Sequence, residues 1–232
     1  MSIVILFNKP YNVLCQFRDK DQRTTLADYI TLPNVYPAGR LDKDSEGLLV
    51  LTDNGALQHY ISHPNHYLKK SYWVQVEGVP HNRALQQLRQ GVQLKEGLTQ
   101  PAQVSLITPP TIWHRSPPIR QRQHIATQWL SITLQEGKNR QIRRMTAAIG
   151  HPTLRLIRYA IGDWQLDQLA SGKWQYLCQQ AMVKLHHDMD SSHHRRRRHR
   201  TRSTISDGRR IYRQSTHSQS TRRSSRSRRK PH

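Results

Sequence analysis

Acidic residues are scarce in this chain: 15 Asp+Glu stand against 37 Lys+Arg over 232 residues, a formal charge of +22. Solubility needs far less, so the imbalance points to a polyanionic partner, with nucleic acid first and an anionic membrane surface second. Cysteine is scarcer still. Cys15 and Cys178 are the only two, which excludes a disulfide-stapled secreted scaffold, and no basic, apolar, small-residue leader opens the chain; a reducing cytoplasm is the expected location. No apolar run approaches the roughly 20 residues needed to cross a bilayer, so membrane insertion is not expected. Neither a Walker-A loop nor a Gly-x-Gly-x-x-Gly turn is present, which argues against nucleotide cofactors. His59, His63 and His66 fall close together, but without a His-Glu-x-x-His pattern, a Cys pair or a carboxylate at ligand spacing they read as solvated histidines, and no metal is expected.

What is present is unevenly spread. Residues 186–232 carry 15 basic and 3 acidic side chains, with Met189, Ile205, Ile211 and Tyr212 as their only apolar ones. Such a segment cannot bury enough surface to offset its ordering entropy, so a disordered Arg/Ser/His-rich tail is expected there. Residues 1–185 keep a net charge of +10 and read as one catalytic-sized body, bilobed at most, and monomeric.

Within that body Ser2–Phe7 and Leu48–Leu51 are apolar runs of strand length. Asp53-Asn54-Gly55 ends the second, and Ala56, Leu57, Tyr60 and Ile61 follow at helical spacing. Residues 70–77 alternate strictly, placing Lys70, Tyr72, Val74 and Val76 on one face and Ser71, Trp73 and Gln75 on the other. Pro80 is placed to begin a helix that Gly91 closes. Residues 92–135 read as strands broken by two Pro-Pro pairs and ending in Trp129–Leu134. Residues 138–149 put Ile142, Met145 and Ile149 on one helical face ahead of Gly150. Residues 154–159 and 174–177 supply closing strands. Many strands with few helices predict an α+β fold, a largely antiparallel mixed sheet with flanking helices around a central cleft.

Four segments carry chemistry-bearing residues in order: Lys9-Pro10; Gly39-Arg40-Leu41-Asp42 running through Ser45-Glu46-Gly47-Leu48-Leu49 to Thr52-Asp53-Asn54-Gly55; Lys70-x-Tyr72-x-Val74-x-Val76-x-Gly78; and Glu136-Gly137-Lys138-Asn139-Arg140-Gln141-Ile142-Arg143-Arg144-Met145. Together they resemble the signatures of the RsuA-type pseudouridine synthases, over roughly residues 3–178. Many members of that family carry a small S4-type RNA-binding domain ahead of the Lys-Pro strand. Its absence here resembles the subgroup acting on a single uridine of 23S ribosomal RNA.

The resemblance implies an isomerase that breaks the uridine N1–C1′ bond, turns the uracil and joins C5 to C1′, with no net redox change and no cofactor. It assigns the catalytic carboxylate to Asp42, either attacking C1′ or taking a sugar proton. It places Tyr72 against the uracil and gives Arg143 the task of pairing with Asp42. Arg40 is similar to the residue that fills the stack when the nucleotide is extruded. Lys9, Lys70, Arg140, Arg144 and Arg155 are expected to contact ribosomal RNA, the implied partner. For Asp44 a turn or capping role is the simpler reading, as a core tyrosine is for Tyr72 considered alone. A non-catalytic rRNA-binding or ribosome-assembly factor is the competing reading, but a pure binder gains nothing from a carboxylate in a basic cleft.

Overall fold

The computed structural model describes residues 2–66, 68–119, 122, 125–189 and 191. The chain divides into two units, residues 1–182 and 183–232, and the sheet, helices and cleft described below belong to the first. Of the segment 186–232 expected to be disordered, residues 186–189 and 191 have helical backbone and the remainder lies outside the described residues.

In chain order the elements are β1 (Val4–Lys9), β2 (Tyr36–Pro37), β3 (Glu46–Thr52), α1 (Gly55–Ser62), β4 (Lys70–Glu77), α2 (Asn82–Gln90), β5 (Gln93–Leu94) and β6 (Gly97–Leu98). They continue as β7 (Gln103–Ile107), β8 (Thr127–Leu134), α3 (Gln141–Ala148), β9 (Thr153–Ile161), β10 (Trp164–Gln165) and β11 (Trp174–Tyr176). A nine-stranded sheet runs β11-β1-β3-β9-β4-β8-β7, with β2 added to β3 and β10 to β9. Every neighbouring pair is antiparallel except β3 with β9. The sheet is therefore mixed, as expected, with its single parallel seam beside the segment that holds Asp42.

Two apolar clusters flank this seam. Val74 and Val76 of β4 are fully buried with Leu130 and Ile132 of β8, Leu85 and Leu88 of α2, and Ile142 and Met145 of α3. The alternation read from residues 70–77 thus sends one face under the helices, while Trp73 on the other face stacks on Tyr159 at 4.6 Å. Ile5 and Phe7 of β1 pack with Leu49 and Leu51 of β3 against Val13, Leu26, Ile30 and Val35. The inner strands β1 and β3 are buried at every position, which is why they read as continuous apolar runs.

Several boundaries differ from expectation for local reasons. β1 extends through Asn8 and Lys9, both completely buried, because their polar ends reach carbonyls: Asn8 Nδ2 donates to Leu169 O at 2.8 Å, and Lys9 Nζ to Pro10 O and Val13 O at 2.8 Å each. β3 begins at Glu46, two residues before its apolar run. α3 begins at Gln141 and not near Lys138, since Arg140 adopts a left-handed conformation (φ 46°) just ahead of it. Gly47 (φ 104°) lies so close to β9 that a methyl group there would overlap the Arg158 carbonyl. This glycine lets the Asp42 segment enter the sheet beside β9.

Candidate active site

The parallel seam brings the loop before β3, the start of β4, the end of β9 and the start of α3 together around a cleft of about 560 Å³. Asp42, Arg40, Lys70, Tyr72, Arg140 and Arg158 line it. The Asp42 loop is fixed from three directions by hydrogen bonds to its own carbonyls. Ser45 N–H donates to Asp42 O (3.1 Å), Asn12 N–H to Lys43 O (2.9 Å), and the Arg143 Nη2 to Asp44 O (2.6 Å). A short polar loop held this way presents its side chains without needing to bury them. Asp42 keeps 28 % of its side-chain surface exposed in the cleft.

The arginine next to Asp42 is Arg140, whose Nη1 lies 3.6 Å from Asp42 Oδ2. The expected pairing of Arg143 with the Asp42 carboxylate is not among the ion pairs of the described residues, although the Asp42 charge acts on Arg143 behind that of Asp44. Arg143 spends its guanidinium on Asp44, with Nε 3.4 Å from the carboxylate and Nη2 on the carbonyl. The register of α3 accounts for this: position 140, wound left-handed before the helix, has its side chain in the cleft, while position 143, one turn on, reaches the Asp44 carbonyl. Asp44 is accordingly more than a turn residue. It accepts a two-pronged grip from Arg140 at 2.9 Å on each oxygen and joins both arginines to the loop. Burial works to raise its pKa, yet the Arg140 fork and the Arg143 charge hold the carboxyl below the usual carboxylate range.

Tyr72 and Lys70 share the cleft face of β4, so both stand where the sequence placed them. Tyr72 is half-buried against the apolar cluster under α2 and α3, with its other side on the cleft. Lys70 is buried, and desolvation followed by the neighbouring Arg158 charge lowers its pKa to about 8. Arg40 is exposed at the cleft wall.

Two residues expected to contact RNA are buried and otherwise employed, and a third is paired at the surface. Lys9 is wholly buried among carbonyls and also approaches Lys43 O at 3.5 Å, so it ties β1 to the Asp42 loop. Its burial lowers the pKa to about 8 against the raising charges of Cys15, Glu46, Asp44 and Asp42. Arg155 is 6 % exposed and forms a two-pronged pair with Glu46 at 2.8 Å, while its Nη2 donates to Trp113 O at 3.0 Å. Arg144 pairs with Glu96 at 2.5–2.6 Å on the surface.

Three further residues shape the site and were not singled out from the sequence. Glu46 anchors the loop end of β3 through Arg155 and through the Trp113 indole N–H at 2.8 Å. Glu136 accepts from Gln100 N–H at 2.8 Å and from the Gln141 side-chain amide, fixing the loop ahead of α3. Arg158 stands in the cleft wall on β9. A signal was available: charged residues set inside apolar strands, as in Leu154-Arg-Leu-Ile-Arg-Tyr159, must be paired or functional.

Residues 3–148 match the model of the RNA pseudouridylate synthase family. The chain belongs to that family. It is 58 % identical over 171 residues to the ribosomal large subunit pseudouridine synthase E of Vibrio parahaemolyticus, spanning 74 % of this chain and 72 % of that protein. A protein of the same name from Xanthomonas axonopodis pv. citri is 57 % identical over 171 residues, covering 72 % of this chain and 90 % of its own. The architecture matches a crystal structure of a pseudouridylate synthase with a TM-score of 0.67 at 27 % identity, over 80 % of this chain and 74 % of that one. The α+β sheet around the Asp42 cleft is thus the pseudouridine synthase fold, and the chain is a pseudouridine synthase, an isomerase. An account as a non-catalytic binding factor falls away.

Proposed function

We propose that this pseudouridine synthase isomerises one uridine of large-subunit (23S) ribosomal RNA, with Asp42 acting at the ribose. The observation that carries the reading is the position of Asp42: a carboxylate held by a pinned loop in a cleft whose other charged groups are almost all cationic. Such a cleft attracts the phosphates of RNA, and it sets one carboxylate beside Arg140 for work at C1′ or C2′. The similarity to two synthases named for the large ribosomal subunit supports the choice of RNA.

In this reading Arg40 and Arg140, exposed at the cleft, meet the sugar-phosphate backbone. Tyr72 lies along the buried wall, where an extruded uracil stacks out of water. Arg143 and Asp44 position the loop and do not touch the substrate. The body alone carries +10 and residues 186–232 a further +12, so binding is strongly salt-dependent. Mapping pseudouridines across ribosomal RNA from cells with and without the protein tests this directly. One large-subunit site disappears if the proposal holds, and an unchanged map overturns it.

A further inference from the structure

Arg158 lies on β9, opposite Tyr72 in the β4 register and opposite Gly47 in the β3 register. It is 4 % exposed. Its Nε donates to Leu48 O at 2.8 Å, which fixes the plane of the guanidinium, while its buried Nη2 has no hydrogen-bond partner. Among the described residues no carboxylate pairs with it, and the nearby cation is Lys70, also buried. An uncompensated buried cation with an unfilled N–H is costly, and an apolar side chain of similar length would remove the cost. Retaining it at the inner wall of a catalytic cleft, across from the tyrosine face, marks it as a group whose partner arrives with substrate.

The chemistry identifies that partner. An extruded nucleotide enters base first, so its phosphates stay at the mouth with Arg40 and Arg140 while the uracil meets the buried wall. When the C1′–N1 bond breaks, the bonding pair leaves on N1, and the detached uracil carries negative charge shared among N1, O2 and O4. When C5 joins C1′, that pair is used in the new bond; C5 gives up its proton and N1 gains one, which completes the isomerisation without oxidant or reductant. The charge on the ring is the same whether Asp42 attacks C1′ or takes a sugar proton. We infer that Arg158 Nη2 donates a hydrogen bond to a carbonyl oxygen, O2 or O4, of the target uracil and stabilises the anion formed while the base is detached. The positive charge of Lys70 adds to the same field. Donors fixed where charge develops favour the transition state over the bound substrate.

The inference rests on the pseudouridine synthase reading and on the Asp42 cleft being its site. It is tested with the full chain and a large-subunit RNA fragment holding uridine, 2-thiouridine or 4-thiouridine at the target, by single-turnover rates at saturating RNA, RNA affinity and thermal melting. Sulfur accepts hydrogen bonds poorly, so one of the thio substitutions slows the wild-type enzyme about tenfold. Arg158→Met is slowed about 100-fold on uridine, binds RNA within a few fold of wild type, and no longer responds to sulfur. Equal sulfur sensitivity in the variant and the wild type overturns the inference, as does a loss confined to RNA affinity, which would make Arg158 a phosphate contact. Should Arg158→Met fail to fold, Arg158→Lys is read the same way. A wild type indifferent to sulfur at both positions refutes the inference without any variant. A wild type that modifies no ribosomal RNA fails the functional reading instead, so the two failures are separable.

Discussion

Asp44 and Glu46 are two residues apart, and both are held by arginine, yet they differ in burial and do opposite work. Asp44 stays a third exposed and shares Arg140 and Arg143 with the loop that carries Asp42. Glu46 points into the sheet, 1 % exposed, and its two oxygens are filled by Arg155 and Trp113. The pair at Glu46 is complete and sealed, so it can only hold. The group around Asp44 retains solvent and a neighbouring carboxylate, so it can respond to a ligand. Identical residue chemistry is divided by burial into an anchor and a working edge.

The largest effect is expected at the buried anchor. Glu46→Ala strands the buried Arg155 charge, and a loss of about 3–5 kcal/mol is expected, read by urea unfolding, with turnover per folded molecule preserved within a few fold. Stability equal to wild type would mean that the pair does not hold the sheet. At the working edge the order reverses. Arg143→Lys keeps a charge but loses the fork that spans the Asp44 carbonyl and carboxylate, so turnover falls about tenfold while the melting curve barely moves; wild-type rates would remove Arg143 from the positioning of the loop.

A pH series sharpens the same division within the cleft. Burial and the Arg158 charge lower the Lys70 pKa to about 8 in the folded protein, below its usual 10.5. As pH rises from about 8 toward 10.5, the folded state has given up this proton and the unfolded state has not, so stability increases with pH across that window. RNA affinity changes the other way, since the cleft loses a cation. Lys9, also titrating at about 8 but enclosed by carbonyls, adds to the stability change and not to the affinity change. Lys70→Gln therefore abolishes an affinity step near pH 8 that Lys9→Met leaves in place. The smallest effect is expected for Arg144→Ala: its pair with the exposed Glu96 is screened by water, and melting stays within error of wild type.

The strands at 70–77 and 129–134 were legible because alternation and apolar runs report burial directly, and the family was legible because the motif segments around Asp42, Tyr72 and Arg143 are so specific. The uses of individual arginines were not. Arg140 and Arg143 differ by three positions on what reads as one helix, and only the left-handed turn at Arg140 decides which of them reaches Asp42. Arg155 and Arg158 differ by three positions on one strand, and their fates follow from partners distant in sequence, Glu46 for the first and Leu48 O for the second. Pairings across about 110 positions depend on β9 lying between β3 and β4, an order that no local pattern encodes.

In the proposed function Asp42 performs the chemistry in a cleft whose binding is done by other residues. Asp42→Asn removes one charge and keeps the shape, so it separates these tasks when pseudouridine formation in a large-subunit RNA fragment is measured at RNA concentrations well above the affinity of each protein. The account predicts no detectable pseudouridine from this variant, with RNA affinity and melting temperature close to wild type. Substantial pseudouridine formation by Asp42→Asn would contradict it.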